Sequence, residues 1–201
     1  MHSSDHGDEA FEGMRQNGWK PALASHSAVG YHGGSQAEAA MISEQSAEKR
    51  FQPVDGDAGP GVYFAERFSE EGHTDAYRGA QVLAWRTKSL KGDECVVVKA
   101  NLAAQSCYEP LHPENKEFFR EAYRAARSEA KARRDGSEGH VTTFGVLRKV
   151  LAFYGPIMAI QATRFVFSSR DENGRMLDGP IFSVILHDLN CNTDAAVLPK
   201  I

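Results

Sequence analysis

One long amphipathic segment constrains the fold of this chain more than any other feature. Residues 113–136, PENKEFFREAYRAARSEAKARRDG, repeat Phe118, Phe119, Ala122, Tyr123 and Ala126 at helical spacing, which makes one apolar stripe on an otherwise charged helix. Pro113 suits the first turn and Gly136 the end. Lys131, Arg133 and Arg134 fall at the C-terminal end, where the helix dipole favours cations, so they call for no nucleic acid. These residues are expected to serve packing and not a ligand. Short β-type segments stand on both sides of the helix: SAVGYHG ending at Gly33, VYFA, QVLAW and ECVVVKANL before it, and PIMAIQ, RFVFSS and PIFSVIL after it. The three valines of ECVVVKANL give the strongest β pattern. A helix is expected after Ser35, with Glu38 at the capping-box distance, another within SEEGHTDAYRGAQ, and a third from Phe144 to Phe153. Residues 52–61, QPVDGDAGPG, read as a loop. Strands at both ends with helices between them predict the α+β class.

Composition narrows the function classes. A chain of 201 residues supports one domain with a real core. We divide it into a polar extension, 1–25, on which Phe11 and Trp19 can dock on the body, and a domain over 26–201. A net charge of −4 argues against a general nucleic-acid binder. No apolar run reaches the ~18 residues of a membrane span, so no membrane partner is expected. The N-terminus lacks the charged-then-apolar pattern of a classical signal peptide. The expected location is therefore cytoplasmic, or a host cell reached as a secreted effector. Cys95, Cys107 and Cys191 are too few and too scattered for a disulfide framework. The eight histidines show no metal-ligand spacing, so no metal is expected.

Two stretches carry the chemistry. In GYHGGS, residues 30–35, an imidazole stands next to bare backbone at a strand end. In GPGVYFAERFSEEGHTDAYRG, residues 59–79, Tyr63 ends a strand pattern and Tyr77 follows. Two phenol rings with a gap between them form a slot for a flat aromatic ligand. Gly33 can bond a carboxamide through its backbone, and His32 can bond a hydroxyl.

Together these stretches resemble the first two motifs of the ADP-ribosyltransferases of the diphtheria-toxin and poly(ADP-ribose) polymerase type. The resemblance covers residues 29–79. It implies a single domain of two packed, mainly antiparallel β-sheets with flanking helices around an NAD cleft. It implies that His32 orients the NAD ribose, that Gly33 holds the nicotinamide amide, that Tyr63 and Tyr77 sandwich the nicotinamide ring, and that Thr74 bonds the amide. The family's third motif, a glutamate on a late strand, has no counterpart. The segment expected there, YGPIMAIQATRF, contains no Asp or Glu, and Gln161 is its polar strand residue. An oxocarbenium-like centre wants a nearby negative charge. Mono-transfer of ADP-ribose from NAD to a macromolecule, preferably a protein, is therefore expected over polymer formation. Gln161 would stand in the acid's place on the same face as Ile157 and Ala159. The alternative is a catalytically inactive module that binds NAD or a protein. A carboxylate from elsewhere, such as Glu66 or Asp75, would separate the two. An NAD-using RNA 2′-phosphotransferase is a third reading, and the acidic balance gives it little support.

Overall fold

The computed structural model describes residues 9–39, 53–67, 73–91, 93–132, 141–170, 173–175 and 180–199. Its α-helices include α1 (Glu9–Gln16), α2 (His73–Lys88), α3 (Lys116–Ala132) and α4 (Thr143–Met158). The strands are β1 (Leu23–Gly34), β2 (Val54–Gly56), β3 (Gly59–Glu66), β4 (Val96–Tyr108), β5 (Ala162–Phe167), β6 (Ile181–Leu186) and β7 (Asn192–Val197). The class is α+β, as the alternation of segments predicts.

The described strands do not form two separate packed sheets. They pair in the order β1-β3-β6-β5-β4-β7, and β4 also pairs with β1, so five strands return on themselves as a ring. β2 and β7 are appended to β3 and β4. All the pairings are antiparallel except β4–β5, which is parallel. The long ladder between β1 and β4 runs from Leu23↔Tyr108 to Gly34↔Val96. The ladder between β1 and β3 is short, holding only Gly30↔Glu66 and Tyr31↔Ala65. Beyond those two pairs the strands part. β1 continues along β4, while β3 runs along β6 through Tyr63↔Ile185 and Val62↔Leu186.

Alternation along the strands sorts side chains into two cores. Val62, Phe64, Val98, Ala100, Leu102, Ala162, Val184 and Leu186 share one cluster, built almost wholly from strands, which fills the inside of the ring. Tyr31, Tyr63, Ala65, Val97, Phe165 and Ile185 face the other way and pack with all four helices. The stripe of α3 lands on this outer face: Phe118, Ala122 and Ala126 are buried, with Phe119 and Tyr123 packed at the edge. Phe118 meets both Tyr108 and Tyr154 edge to face, the preferred geometry for aromatic pairs.

Three expectations are corrected. QVLAW is not a strand but the middle of α2, whose Ala76, Ala80, Leu83 and Ala84 form a buried helical stripe. A short apolar run has the same composition in either state, and the seat offered by β1 decides it. PIMAIQ is not a strand either. α4 runs on through Pro156 to Met158, and Ala159 closes it in the left-handed conformation with its N–H bonded to the Gly155 carbonyl. So near a C-terminus, a proline forfeits one intrahelical bond without breaking the helix. Residues 54–61 are not an open loop: β2 and β3 pair as a tight hairpin closing at Gly56↔Gly59, and Gly59 has φ +110°. Within the polar extension, α1 forms and buries Phe11 and Met14. No described helix is long and apolar enough to cross a membrane.

Candidate functional site

The site is built where β1 and β3 part. Val97 points its carbonyl at the Leu198 N–H, away from β1. Gly33↔Val97 is therefore a non-hydrogen-bonded pair of the β1–β4 ladder, and the backbone groups of Gly33 point to the opposite edge. Val29, four residues back on the same edge, accepts there from the Arg67 N–H at 3.0 Å. By Gly33, β3 has left that edge, since its register with β1 stops at Tyr31. What remains is a strand edge opposite a divergent partner, with His32 and Tyr63 on its two sides.

His32 fills the mouth of the split. Its Nδ1 lies 2.9 Å from the Tyr63 carbonyl, joining two motifs that are 31 residues apart in sequence. A carbonyl only accepts, so Nδ1 carries the proton. Nε2 then presents a lone pair, which takes the Lys88 ammonium at 3.1 Å. Lys88 also donates to Glu38 Oε1 at 2.6 Å and reaches the Gly33 carbonyl at 3.5 Å. Glu38 is fixed in turn by the capping box expected from sequence: its Oε2 accepts from the Ser35 N–H at 2.8 Å, and its own N–H donates to Ser35 Oγ at 3.2 Å. Burial, then the Lys88 charge, push the His32 imidazole down to about 4, so it is neutral at pH 7. The imidazole also packs on Phe64, ring centres 5.4 Å apart.

The tyrosines stand on the other face of the sheet. Tyr63 and Tyr77 belong to the outer core with α2, whereas His32 packs, tilted, on Phe64 of the inner one. His32 and Tyr63 thus meet through the Tyr63 backbone and not through their rings. The Tyr63 hydroxyl donates to the Gly59 carbonyl at 2.6 Å, and its ring lies across Gly56, where a Cβ would come within 2.6 Å of it. Burial raises the Tyr63 phenol well above its ordinary range. His32, Tyr63 and Tyr77 are 3%, 4% and 3% exposed. At Gly33 the structure shows a steric reason for glycine: α2 crosses it, and a Cβ would lie 2.4 Å from the Ala80 carbonyl oxygen. Thr74 lies in the first turn of α2, and its side chain is outside the described residues.

Gln161 is placed elsewhere. Its Oε1 accepts from the N–H groups of Gln105 and Ser106 at 2.9 and 3.3 Å, and its Nε2 donates to Asp188 at 3.2 Å. The amide ties the entry of β5 to β4 and to the exit of β6, with no contact to His32 or Tyr63. The expected face shared with Ile157 and Ala159 does not exist, because Ile157 is helical and Ala159 is the helix cap. Of the two other carboxylates considered, Asp75 is exposed on α2, and Glu66 is held by Arg164 at 2.7 Å with His26 at 3.4 Å. The carboxylate that reaches the His32 edge is Glu38, through Lys88. Sequence reasoning saw Glu38 as a cap and missed Lys88, which is 56 residues from His32 and carries no local signal. Among the described residues, no three His, Cys, Asp or Glu side chains converge to hold a metal.

No protein-family model and no curated protein matches the sequence. Among solved structures, the chain is similar to the crystal structure of the M. tuberculosis MbcT–MbcA toxin–antitoxin complex, with a TM-score of 0.44 and 9% identity over 98% of this chain and 94% of that chain. A likeness at that level identifies neither a shared fold nor a shared activity.

Proposed function

We propose that this protein binds NAD in the split between β1 and β3 and transfers a single ADP-ribose unit from it to a macromolecular acceptor, with release of nicotinamide. The observation that carries this reading is the contact of His32 with the Tyr63 carbonyl at the mouth of the split. It brings the two resembling motifs together beside the strand edge at Gly33, which Lys88 also reaches. In this reading the Gly33 backbone bonds the nicotinamide amide, His32 bonds a ribose hydroxyl, and Tyr63 and Tyr77 clamp the ring. Tyr63 lies on β3 and Tyr77 on α2, and both are buried in the core between them, so the clamp needs α2 to move away from β3 before nicotinamide enters. In this reading Glu38, linked to His32 through Lys88, supplies the negative charge near the ribose that the neutral amide of Gln161 cannot.

A second reading is a binding module without turnover. It is favoured by the satisfaction of His32 Nδ1, His32 Nε2 and the Tyr63 hydroxyl inside the protein. One experiment addresses both. Purified protein is titrated with NAD by calorimetry, then incubated with labelled NAD and a cell lysate, and free nicotinamide and labelled macromolecules are measured. The transferase reading expects binding, nicotinamide release and a labelled acceptor. The module reading expects binding alone. A folded protein that does neither refutes the NAD site. As a specificity control, His32→Ala is expected to weaken NAD binding by about 1–3 kcal/mol, the loss of one hydrogen bond in a closed site.

A further inference from the structure

We propose that Lys88, anchored by Glu38, is a positioning residue that locks His32 in its neutral, Nδ1-protonated form, so that the site recognises its ligand hydroxyl as a hydrogen-bond donor to Nε2. The proposal rests on the NAD reading for the identity of that hydroxyl, and on the present geometry for the rest.

The geometry runs from strand to strand. The Tyr63 carbonyl fixes the proton on Nδ1, because that oxygen can only accept. An ammonium has three protons and no lone pair, so Lys88 facing Nε2 at 3.1 Å enforces the same choice from the other side of the ring. An Nε2–H would point at a cation. Lys88 is itself held by Glu38 at 2.6 Å, at the last residue of α2, where the helix dipole favours a positive charge. Lys88 and Glu38 are only 12% and 16% exposed, so salt screens this pair less than a surface pair. A hydroxyl that donates to Nε2 must take the place of the ammonium there. Lys88 is then left between Glu38 and the Gly33 carbonyl, still lining the split. The device therefore selects a donor over a bare acceptor: a ribose hydroxyl fits, and a 2′-deoxy or 2′-O-methyl sugar does not when that hydroxyl is the one read.

The test uses the full chain and histidine-ring ¹⁵N NMR across pH, with Lys88→Met, Lys88→Arg and Glu38→Gln. Wild type is expected to show His32 as the Nδ1–H tautomer at pH 7. Lys88→Met removes the cation and raises the His32 titration midpoint. Glu38→Gln removes the anion and lowers it. Lys88→Arg keeps the wild-type tautomer. In the binding arm, Lys88→Met is expected to lose about tenfold in NAD affinity, and Lys88→Arg to recover most of it. If Lys88→Met does not fold, the opposite-signed Glu38→Gln shift carries the test alone. An Nε2–H tautomer in wild type, or unchanged midpoints in both variants, overturns the proposal and leaves the NAD reading standing. A locked tautomer in a protein that binds no NAD overturns the NAD reading, and with it the recognition of a ribose hydroxyl.

Discussion

Replacing Gly33 by alanine tests the seat on which the whole site rests. The added Cβ would lie 2.4 Å from the Ala80 carbonyl oxygen, 3.0 Å from its carbon and 2.7 Å from the Ala84 Cβ. None of these atoms can swing away, because two are helix backbone and the third is a methyl on Cα. Relief needs α2 and β1 to separate by roughly 1 Å, the gap between these distances and ordinary contact. Gly33 does not have a positive φ, so the backbone itself tolerates alanine, and the restricted unfolded chain returns about 0.4–1 kcal/mol. Overpacking of a tight contact costs about 1–3 kcal/mol. The net expectation is a loss of about 1–2 kcal/mol, seen as a lower urea midpoint with an unchanged slope. Ala84→Gly, which removes one of the two collisions, should recover only part of the loss when combined with Gly33→Ala, leaving the clash with the Ala80 carbonyl. If Gly33→Ala matches or exceeds wild type in stability, α2 does not sit on Gly33 as described, and the glycine serves the ligand alone. If the double variant recovers everything, the collision with the Ala80 carbonyl is not real.

Three further outcomes follow from the same geometry. Because His32 is held neutral with its pKa lowered from 6.5 to about 4, its contribution is complete above pH 6.5 and is lost as pH falls toward 4. That loss is worth about 3 kcal/mol at 1.36 kcal/mol per pH unit, and His32→Gln should show a flatter stability–pH curve than wild type, the difference separating His32 from His187, which burial also lowers. Gln161→Glu would set a second carboxylate 3.2 Å from Asp188, so a destabilisation of about 1–2 kcal/mol at pH 7 that shrinks under acid is expected, with no gain in nicotinamide release; a faster release would return Gln161 to the site. Arg164 bridges Glu66 and Glu109 at 2.7 Å each and lies over the Phe182 ring, so Arg164→Met should cost about 2–3 kcal/mol at pH 7 by removing the cation between two partly buried carboxylates and leaving Glu66 with His26 alone, and an unchanged thermal midpoint would show that the cluster adds nothing to stability.

Local chemistry was legible in the sequence, and relations between distant segments were not. The apolar stripe of α3, the valine-rich centre of β4 and the Ser35–Glu38 capping box each depend on residues within a few positions of one another, so their spacing alone determined them. QVLAW and PIMAIQ were misread because four or five apolar residues have no period of their own: one became helix because β1 offered Ala80 and Ala84 a glycine to rest on, and the other begins as the last turn of α4, where Ile157 is exposed and Met158 packs only at the edge of the core. Gly33 stands out in the sequence for its bare backbone, whereas the helix that forbids a side chain there comes from more than forty residues downstream. The sequence placed His32 and Tyr63 in order. Only the parting of β1 from β3 put an imidazole against a carbonyl, turned the two rings to opposite faces, and brought Lys88, held by Glu38, to the second ring nitrogen. Those contacts join residues that no local pattern links, and ring closure of the sheet is what brings them within hydrogen-bonding distance.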